Sequence, residues 1–176
     1  MLQREENYRL DEILHFVYEI YRATKGKYPL LEWISEKPKP HEFEKFKAIY
    51  KPFLKGRLEN EFDEFYVWRK EGEIISTLAI VYKYKGKKLS WIPNSLMKNE
   101  NAFIEFLMVS PRYWKQGYGK EILKFALKRI NELGKTAFVS TSKTIDAHAF
   151  YKKMGFKDVC MHAGFVIMKY DLGMRD

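Results

Sequence analysis

Hydrophobic residues recur at helical spacing in three stretches of the chain. Residues 11–22 place their apolar side chains on one face of a helix, at Ile13, Phe16, Val17 and Ile20. A second helix fits residues 41–57, where Pro52 predicts a kink or a split because proline removes a backbone donor. A third helix is predicted over residues 117–133, with Gly134 as its stop. Its apolar face comprises Tyr118, Ile122, Phe125, Ala126, Ile130 and Leu133.

Runs of apolar, β-branched and aromatic residues predict strands between these helices. Two strands, Glu64–Lys70 and residues 73–84, flank a hairpin turn at Glu71 and Gly72. Residues 102–109 are nearly all apolar, which is typical of a strand buried on both faces. The remaining predicted elements are a strand at residues 1–4, a strand at 136–141, a helix at 144–154, and one strand or a pair at 158–170.

The junction between the apolar strand and the third helix has the features of an anion site. The strand ends at Val109, a turn with cationic residues follows, and Gly117 and Gly119 open the helix. Glycine lets the backbone approach a bound group closely, and the first amides of a helix have no partners of their own. The helix dipole adds positive potential at the same place. A glycine pair alone is a weak indication of phosphate binding, but the residues downstream strengthen it.

Two motifs in residues 101–156 resemble those of the GNAT superfamily of acyl-CoA-dependent N-acyltransferases. The first, Q/R-x-x-G-x-G/A, falls on Trp114-Lys115-Gln116-Gly117-Tyr118-Gly119. The second usually reads N-x-x-A-x-x-x-Y-x-x-x-G-F, and here it runs from Thr144 through Ala147 and Tyr151 to Gly155-Phe156. Trp114 and Thr144 depart from the residues that the family prefers. We interpret both as variations that leave cofactor binding intact, because the backbone amides remain and a threonine can still cap a helix or bond a cofactor amide.

The resemblance implies an α/β (α+β) fold of the GNAT type. We expect a mixed, mostly antiparallel sheet of six or seven strands flanked by helices, with the acyl-CoA in a cleft where the two central strands splay. Residues 1–176 are predicted to form a single domain, in which residues 10–60 are a helical N-terminal elaboration.

The resemblance also implies acetyl-CoA as cosubstrate and transfer of its acetyl (acyl) group to a primary amine by direct attack. Main-chain groups of the strand would contact the pantetheine arm, and the Val109 amide would bind the oxyanion. The residues expected to bind the cofactor are Leu107, Met108, Val109, Trp114, Lys115, Gln116, Gly117, Tyr118, Gly119, Lys120, Thr144 and Ala147.

Two residues are candidates for proton transfer. Tyr151 matches the tyrosine that the family often uses as general acid toward the leaving thiolate, and the alternative is a core tyrosine with an internal partner. Glu105 is the only charged residue between Asn101 and Arg112, so a carboxylate there needs a function or an ion pair. It could take the amine proton, or it could pair with a cation. Strand alternation places Glu105 on the face of Phe103, Leu107 and Val109.

The acceptor side of the site is less well defined by the sequence. His148 shares a helix face with Tyr151, although a surface or packing role is the more common one for such a histidine. The resemblance directs attention to residues 25–35 and 90–100 as acceptor contacts. Aromatic residues that could line a pocket, or belong to the core, are Tyr28, Trp33, Trp68 and Trp91.

The charge of the chain leaves other classes of function open. The 176 residues carry a net charge of +9, and residues 101–153 hold ten Lys and Arg against four Asp and Glu. An anionic cofactor accounts for this excess, while an RNA-borne amine or a non-catalytic binding module for acyl-CoA or nucleic acid is the alternative. We favour a small-molecule or peptide amine as acceptor, and a homodimer stays open.

The cysteine, histidine and hydropathy patterns bear on disulfides, metal sites and membrane segments. Cys160 is the only cysteine, so an internal disulfide is excluded, and a buried inert thiol is expected. The four histidines lack zinc-ligand spacing, so we expect no metal. No apolar run is long enough for a membrane span, and the charged start lacks a signal-peptide core. We therefore expect a cytoplasmic protein.

Overall fold

The computed structural model describes residues 1–171 and contains one seven-stranded sheet flanked by four α-helices. The strands are β1 (Leu2–Arg4), β2 (Glu64–Lys70), β3 (Glu73–Val81), β4 (Asn101–Val109), β5 (Thr136–Thr141), β6 (Phe156–His162) and β7 (Phe165–Tyr170). The helices are α1 (Leu10–Ala23), α2 (Phe43–Gly56), α3 (Tyr118–Glu132) and α4 (Ala147–Lys153). A π-helical turn, Arg57–Glu61, extends α2 and is called the π-turn below.

The sheet has the order β1-β2-β3-β4-β5-β7-β6. Every neighbouring pair is antiparallel except β4 and β5, which are parallel. Helix α3 makes the crossover between these two strands, as a parallel connection requires. The predicted fold class, a mixed and mostly antiparallel GNAT-type sheet, is confirmed.

The two faces of the sheet are covered by different helices. One core lies under α1 and α2 and includes Phe16, Tyr21, Phe46 and Phe65. The opposite core lies under α3 and α4 and includes Ile122, Ala126, Tyr151 and Phe156. A smaller cluster around Phe103 and Phe138 continues the first face toward residues 89–97. The apolar stripes read from the sequence are therefore the faces that each helix buries.

The structure differs from the sequence prediction in two of the helices. Pro52 lies inside α2 without splitting it, because Pro52 and Ala48 are on the exposed face, where water can satisfy the carbonyl that loses its partner. The helix predicted at residues 144–154 begins only at Ala147. Thr144 lies instead in the preceding turn, where its hydroxyl and that of Ser142 hydrogen-bond at 2.7 Å, and it does not cap the helix.

The predicted tail strand is a pair, β6 and β7, and β6 forms one edge of the sheet. Residues 157–161 of this edge strand are exposed, so the expectation of a buried Cys160 was wrong. The thiol of Cys160 therefore lies on an exposed sheet edge. No helix within residues 1–171 has the length and apolarity to cross a bilayer.

Candidate active site

A cleft opens in the middle of the sheet between β4 and β5. The two strands pair only from Asn101 to Ile104 on β4 and from Thr136 to Val139 on β5. Beyond Ile104, β4 continues for five residues without a partner on the β5 side. Backbone groups on that side of β4 are thus free to bond a ligand that enters the cleft.

A β-bulge in β4 sets the direction of the side chains along this cleft. Thr77 of β3 pairs with Met108 and Ala79 pairs with Glu105, so Leu78 alone lies opposite both Phe106 and Leu107. Phe106 adopts a φ of +53°, which is unusual for a bulky side chain. Its carbonyl accepts a 2.9 Å hydrogen bond from the Thr77 hydroxyl, which helps to hold the bulge.

The bulge corrects one prediction about Glu105. Phe106 and Met108 pack under α1 and α2, whereas Leu107 and Val109 pack toward α3 and α4. Glu105 points to the α2 side, where it meets the π-turn. It therefore does not share a face with Leu107 and Val109, because the extra residue in the bulge reverses the alternation between them.

Glu105 forms a buried ion pair with Arg57, the first residue of the π-turn. Arg57 Nη2 donates to Glu105 Oε1 at 2.5 Å, and the two side chains are 13% and 14% exposed. Burial raises the pKa of Glu105 above that of an ordinary glutamate, Arg57 opposes this rise, and the nearby Glu61 adds to it. Burial thus makes the negative charge of Glu105 costly, so its carboxylate favours either a proton or a bound cation.

The surroundings of Arg57 fix its guanidinium from several sides. Its Cζ atom lies 4.9 Å from the ring centre of Phe62 and 5.4 Å from that of Trp91. Glu61 Oε1 lies 3.6 Å from Arg57 Nε and accepts a 3.1 Å hydrogen bond from Trp91 Nε1. Arg57 and Glu61 were not among the residues singled out from the sequence. Their only sequence signal is their position at the end of the second helix, within a run of charged residues.

Tyr151 reaches the same region from the opposite face of the sheet. It lies on α4, is 8% exposed and packs edge-on against Phe156 at 5.3 Å. Burial raises the pKa of its phenol, and Tyr28 and Glu105 add to the rise. The phenol therefore stays protonated at neutral pH, as a proton donor must. This electrostatic coupling also indicates that Tyr151, Tyr28 and Glu105 lie near one another around the cleft.

The predicted anion cradle lies between β4 and α3. Gly117 has a φ of +87° and precedes the helix, and Lys115 has a φ of +61°. The amides of Tyr118, Gly119 and Lys120 are the first of α3 and have no partners within the helix. A Cβ on Gly117 would meet no atom within 4 Å, so the space above the turn is open.

Two side chains of the first motif, Trp114 and Gln116, hydrogen-bond to the cradle loop itself. Trp114 Nε1 donates to the Val109 carbonyl at 2.7 Å, which ties the loop to the end of β4. Gln116 Nε2 donates to the Arg112 carbonyl at 3.2 Å. Trp114, the departure from the family pattern, thus braces the loop and occupies the Val109 carbonyl, while the amides of the helix start remain unused.

The second-motif residues lie at the other rim of the cleft, after β5. Ser142 is buried and its hydroxyl accepts from the Thr144 amide at 3.2 Å. Ala147 begins α4 and packs in the core with Leu107 and Val109. The cradle and this rim approach each other at Gly119, whose Cβ position lies 3.8 Å from Phe150 Cζ. The structure thus brings the two motifs together.

The four aromatic residues considered for the acceptor side separate into two groups. Tyr28 and Trp91 lie on the side of Glu105, Tyr28 with its pKa raised to about 12 by burial and Trp91 against Arg57. Trp68 packs edge-on to Tyr118 at 5.0 Å, on the cradle side. Trp33 is 51% exposed, and its ring centre lies 4.7 Å from that of Phe53. Tyr28 and Trp91 are therefore the pair best placed to meet an acceptor.

His148 points away from the cleft. Its Nε2 lies 2.9 Å from Asp158 Oδ1 on the edge strand β6, which agrees with a packing role. Within residues 1–171, no cluster of three His, Cys, Asp or Glu side chains could hold a metal ion.

Comparison with known proteins gives one family. A family model described as the acetyltransferase (GNAT) family matches residues 15–156. A presumed acetyltransferase from Pyrococcus horikoshii is 40% identical, with a TM-score of 0.79 and 98% of each chain covered. No curated protein matches the chain at a significant level.

Two solved structures with bound cofactor share the fold at lower identity. PaiA N-acetyltransferase from Thermoplasma acidophilum, in complex with coenzyme A, is 16% identical with a TM-score of 0.62, over 97% of this chain and 99% of that one. A GNAT family acetyltransferase from Brucella melitensis, in complex with acetyl-CoA, is 13% identical with a TM-score of 0.53, over 97% and 88%.

Proposed function

Since the chain belongs to the acetyltransferase (GNAT) family, we propose that it transfers an acetyl group from acetyl-CoA to a primary amine by direct attack. The observation that carries this proposal is the cleft between β4 and β5, with the anion cradle at one end and Glu105 and Tyr151 on opposite faces. A thioester in that cleft would have a proton acceptor on one side and a proton donor on the other.

The cradle is the proposed site of the cofactor's pyrophosphate. The amides of Tyr118, Gly119 and Lys120 supply donors, and the dipole of α3 and the side chains of Lys115 and Lys120 supply positive potential. The unpaired part of β4, residues Leu107, Met108 and Val109, is the proposed track of the pantetheine arm, and Thr144 and Ala147 line the opposite rim. Bound coenzyme A and acetyl-CoA in two proteins of the same fold support this assignment.

The proposed reaction has one bond made and one broken. The neutral amine attacks the thioester carbonyl, and the Val109 amide binds the oxyanion that forms. Before attack, Glu105 takes one proton from the ammonium form of the amine, directly or through water. The phenol of Tyr151 protonates the sulfur as the carbon–sulfur bond breaks, and the second proton that the nitrogen loses restores the phenol. The products are an amide and free CoA. Two buried groups with raised pKa values suit these roles.

A nucleic-acid-linked acceptor is the second candidate, because a basic stripe lies outside the cleft. Lys47, Lys51 and Lys55 are spaced four residues apart on α2 and line a shallow groove with Ala48 and Pro52. Lys51 already pairs with Asp11 at 2.9 Å, which reduces the free charge of the stripe. The cradle does not depend on this stripe, so we favour a small-molecule or peptide amine.

Two measurements on the purified protein test the proposal. Acetyl-CoA should raise the melting temperature, and a panel of primary amines should contain at least one that releases free CoA. Binding of a short RNA at two salt concentrations tests the second candidate, since phosphate contacts weaken steeply with salt. Stabilisation by acetyl-CoA without CoA release for any amine would leave a cofactor-binding protein without the proposed activity.

A further inference from the structure

Three charged side chains meet on the acceptor side of the cleft. Glu105 comes from β4, and Arg57 and Glu61 come from the two ends of the π-turn. All three are largely buried, with exposures of 14%, 13% and 20%. Arg57 contacts both carboxylates, at 2.5 Å to Glu105 and at 3.6 Å to Glu61. The group therefore contains two negative charges and one positive charge.

No other charged side chain compensates this excess within the described residues around Glu105. Lys87, which lies beside the π-turn, forms its own 2.7 Å ion pair with Asp63 and donates to the Glu61 backbone carbonyl. The remaining titratable groups that face Glu105 are three phenols, Tyr28, Tyr50 and Tyr151, which burial keeps protonated. An unpaired buried negative charge is costly, so the site favours one additional cation.

Arg57 has a second partner within reach. Its Nε is buried and donates to no acceptor, although the Glu61 carboxylate lies 3.6 Å away. The rings of Phe62 and Trp91 hold the guanidinium in place, and Trp91 Nε1 holds Glu61. A small movement would bring Nε within hydrogen-bond distance of Glu61, so the charge of Arg57 would stay paired when another cation takes the place of Nη2 at Glu105.

We propose that Arg57 transfers its pairing from Glu105 to Glu61 when a protonated primary amine binds to Glu105, and that the acceptor therefore carries no carboxylate beside its amino group. This inference rests on the proposed function and adds to it two positioning residues, Arg57 and Glu61, and the charge of the substrate. A carboxylate next to the amine would restore the uncompensated negative charge close to Glu105 and Glu61.

The arrangement also balances the proton transfer. The ammonium and the Glu105 carboxylate become a neutral amine and a carboxylic acid, so both states are neutral in total. Arg57 stays paired with Glu61 throughout, and the buried site never holds an isolated charge. The amine produced in this way has the lone pair that attack on the thioester requires.

The test is a double-mutant comparison in the full-length protein, with the amine of the panel that gives the highest turnover as substrate. Glu61→Gln removes the second partner, so Arg57 stays on Glu105 and the KM for the amine should rise about tenfold or more. In Glu61→Gln/Arg57→Met, Glu105 is free again and most of the amine affinity should return. Acetyl-CoA stabilisation should be unchanged in both. Glu59→Gln, an exposed carboxylate on the same turn, is the matched control.

A binding measurement keeps the inference separate from catalysis. With CoA present and ionic strength matched, n-butylamine hydrochloride should raise the melting temperature of the wild type more than sodium butyrate does, and Glu61→Gln should lose that difference. Equal effects of the two salts would overturn the inference even if no amine is acetylated. It is equally overturned if Glu61→Gln behaves like Glu59→Gln, or if the double variant binds the amine no more tightly than Glu61→Gln does.

Discussion

At the scale of single residues, the candidate chemistry depends on two side chains whose pKa values burial raises. The phenol of Tyr151 and the carboxylate of Glu105 both have raised pKa values, chiefly because burial disfavours their charged forms. The same physical cause suits the two groups to opposite tasks. The phenol stays a proton donor, and the carboxylate becomes a stronger base than a surface glutamate.

Replacement of the Tyr151 hydroxyl tests the proton donor. Tyr151→Phe should lower turnover by about 10²–10⁴-fold, because general acid catalysis is typically worth that much. The affinity for acetyl-CoA should change little, since the bond to sulfur forms only as the thioester breaks. The measurements are steady-state CoA release and thermal stabilisation by acetyl-CoA. Tyr18→Phe, which removes a part-buried hydroxyl that donates to the Pro40 carbonyl, is the control. A wild-type rate in Tyr151→Phe would make this residue a packing tyrosine.

Replacement of the Glu105 charge separates three roles. If Glu105 takes the amine proton, Glu105→Gln should lose turnover at neutral pH and keep activity mainly at high pH, where the free amine is already neutral. Because the pKa of Glu105 is raised, wild-type turnover should begin to fall, as the solution is made more acidic, at a pH above the usual pKa of a glutamate. The measurement is turnover against pH for both proteins.

Other outcomes for Glu105→Gln identify the remaining roles. A loss of amine affinity with an unchanged pH profile would indicate pairing with a cationic substrate only. A loss of stability by roughly 3–5 kcal/mol without a kinetic effect would indicate a structural ion pair with Arg57. Superimposable pH profiles would exclude Glu105 as the base.

At the scale of elements, one strand and one loop build the cleft. The bulge at Phe106 directs Glu105 toward the π-turn and keeps Leu107 and Val109 on the other face. The loop after β4 bends at Lys115 and Gly117 so that the amides at the start of α3 are left open. The cleft needs both elements, because the strand supplies the acyl end of the proposed site and the loop supplies its anion end.

Two substitutions at Gly117 separate backbone strain from charge. Gly117→Ala meets no neighbouring atom, so it should lower stability by about 1–2 kcal/mol through its positive φ and still be stabilised by acetyl-CoA. Gly117→Asp carries the same strain and adds a negative charge where the phosphates are proposed to bind, so its stabilisation by acetyl-CoA should disappear. The measurement is the melting temperature with and without acetyl-CoA. Equal stabilisation of both variants would remove the cradle from the proposed site.

At the scale of the whole molecule, a second buried carboxylate connects elements far from the cleft. Glu64 of β2 accepts hydrogen bonds from Arg129 of α3 and from the phenols of Tyr66 and Tyr82. Burial alone would raise the pKa of Glu64, but these donors outweigh it and lower the pKa to about 2. The network links β2 and the residue that follows β3 to the helix that carries the cradle.

The sign of this shift predicts how stability depends on pH. A carboxylate with a lowered pKa stabilises the fold above its ordinary value of 4.5, and that stabilisation is lost as the pH falls toward about 2. The difference corresponds to about 3 kcal/mol, so Glu64→Gln should lower the melting temperature by roughly 6–12 °C at neutral pH. The gap to the wild type should close as the pH approaches 2. Thermal melts across pH check this, with exposed Glu132→Gln as control, and a gap independent of pH would contradict it.

The sequence by itself determined the elements and the family. Apolar spacing identified α1 and α3, and the glycine junction identified the cradle loop. These signals are local, since helix periodicity and turn chemistry involve residues within a few positions of one another. The motif around Tyr151 likewise indicated the family that the comparison confirmed. The role of Tyr151, the single-domain assignment and the cytoplasmic location stay predictions.

Only the tertiary structure decided the partners of Glu105. The lone carboxylate in an apolar strand was visible in the sequence, but Arg57 lies 48 residues away along the chain and reaches it through the packing of α2 on the sheet. The bulge at Phe106 was likewise hidden, because one extra residue in a strand changes no composition and reverses which side chains share a face. Charge pairs and register depend on contacts distant in sequence, and those contacts exist only once the sheet has formed.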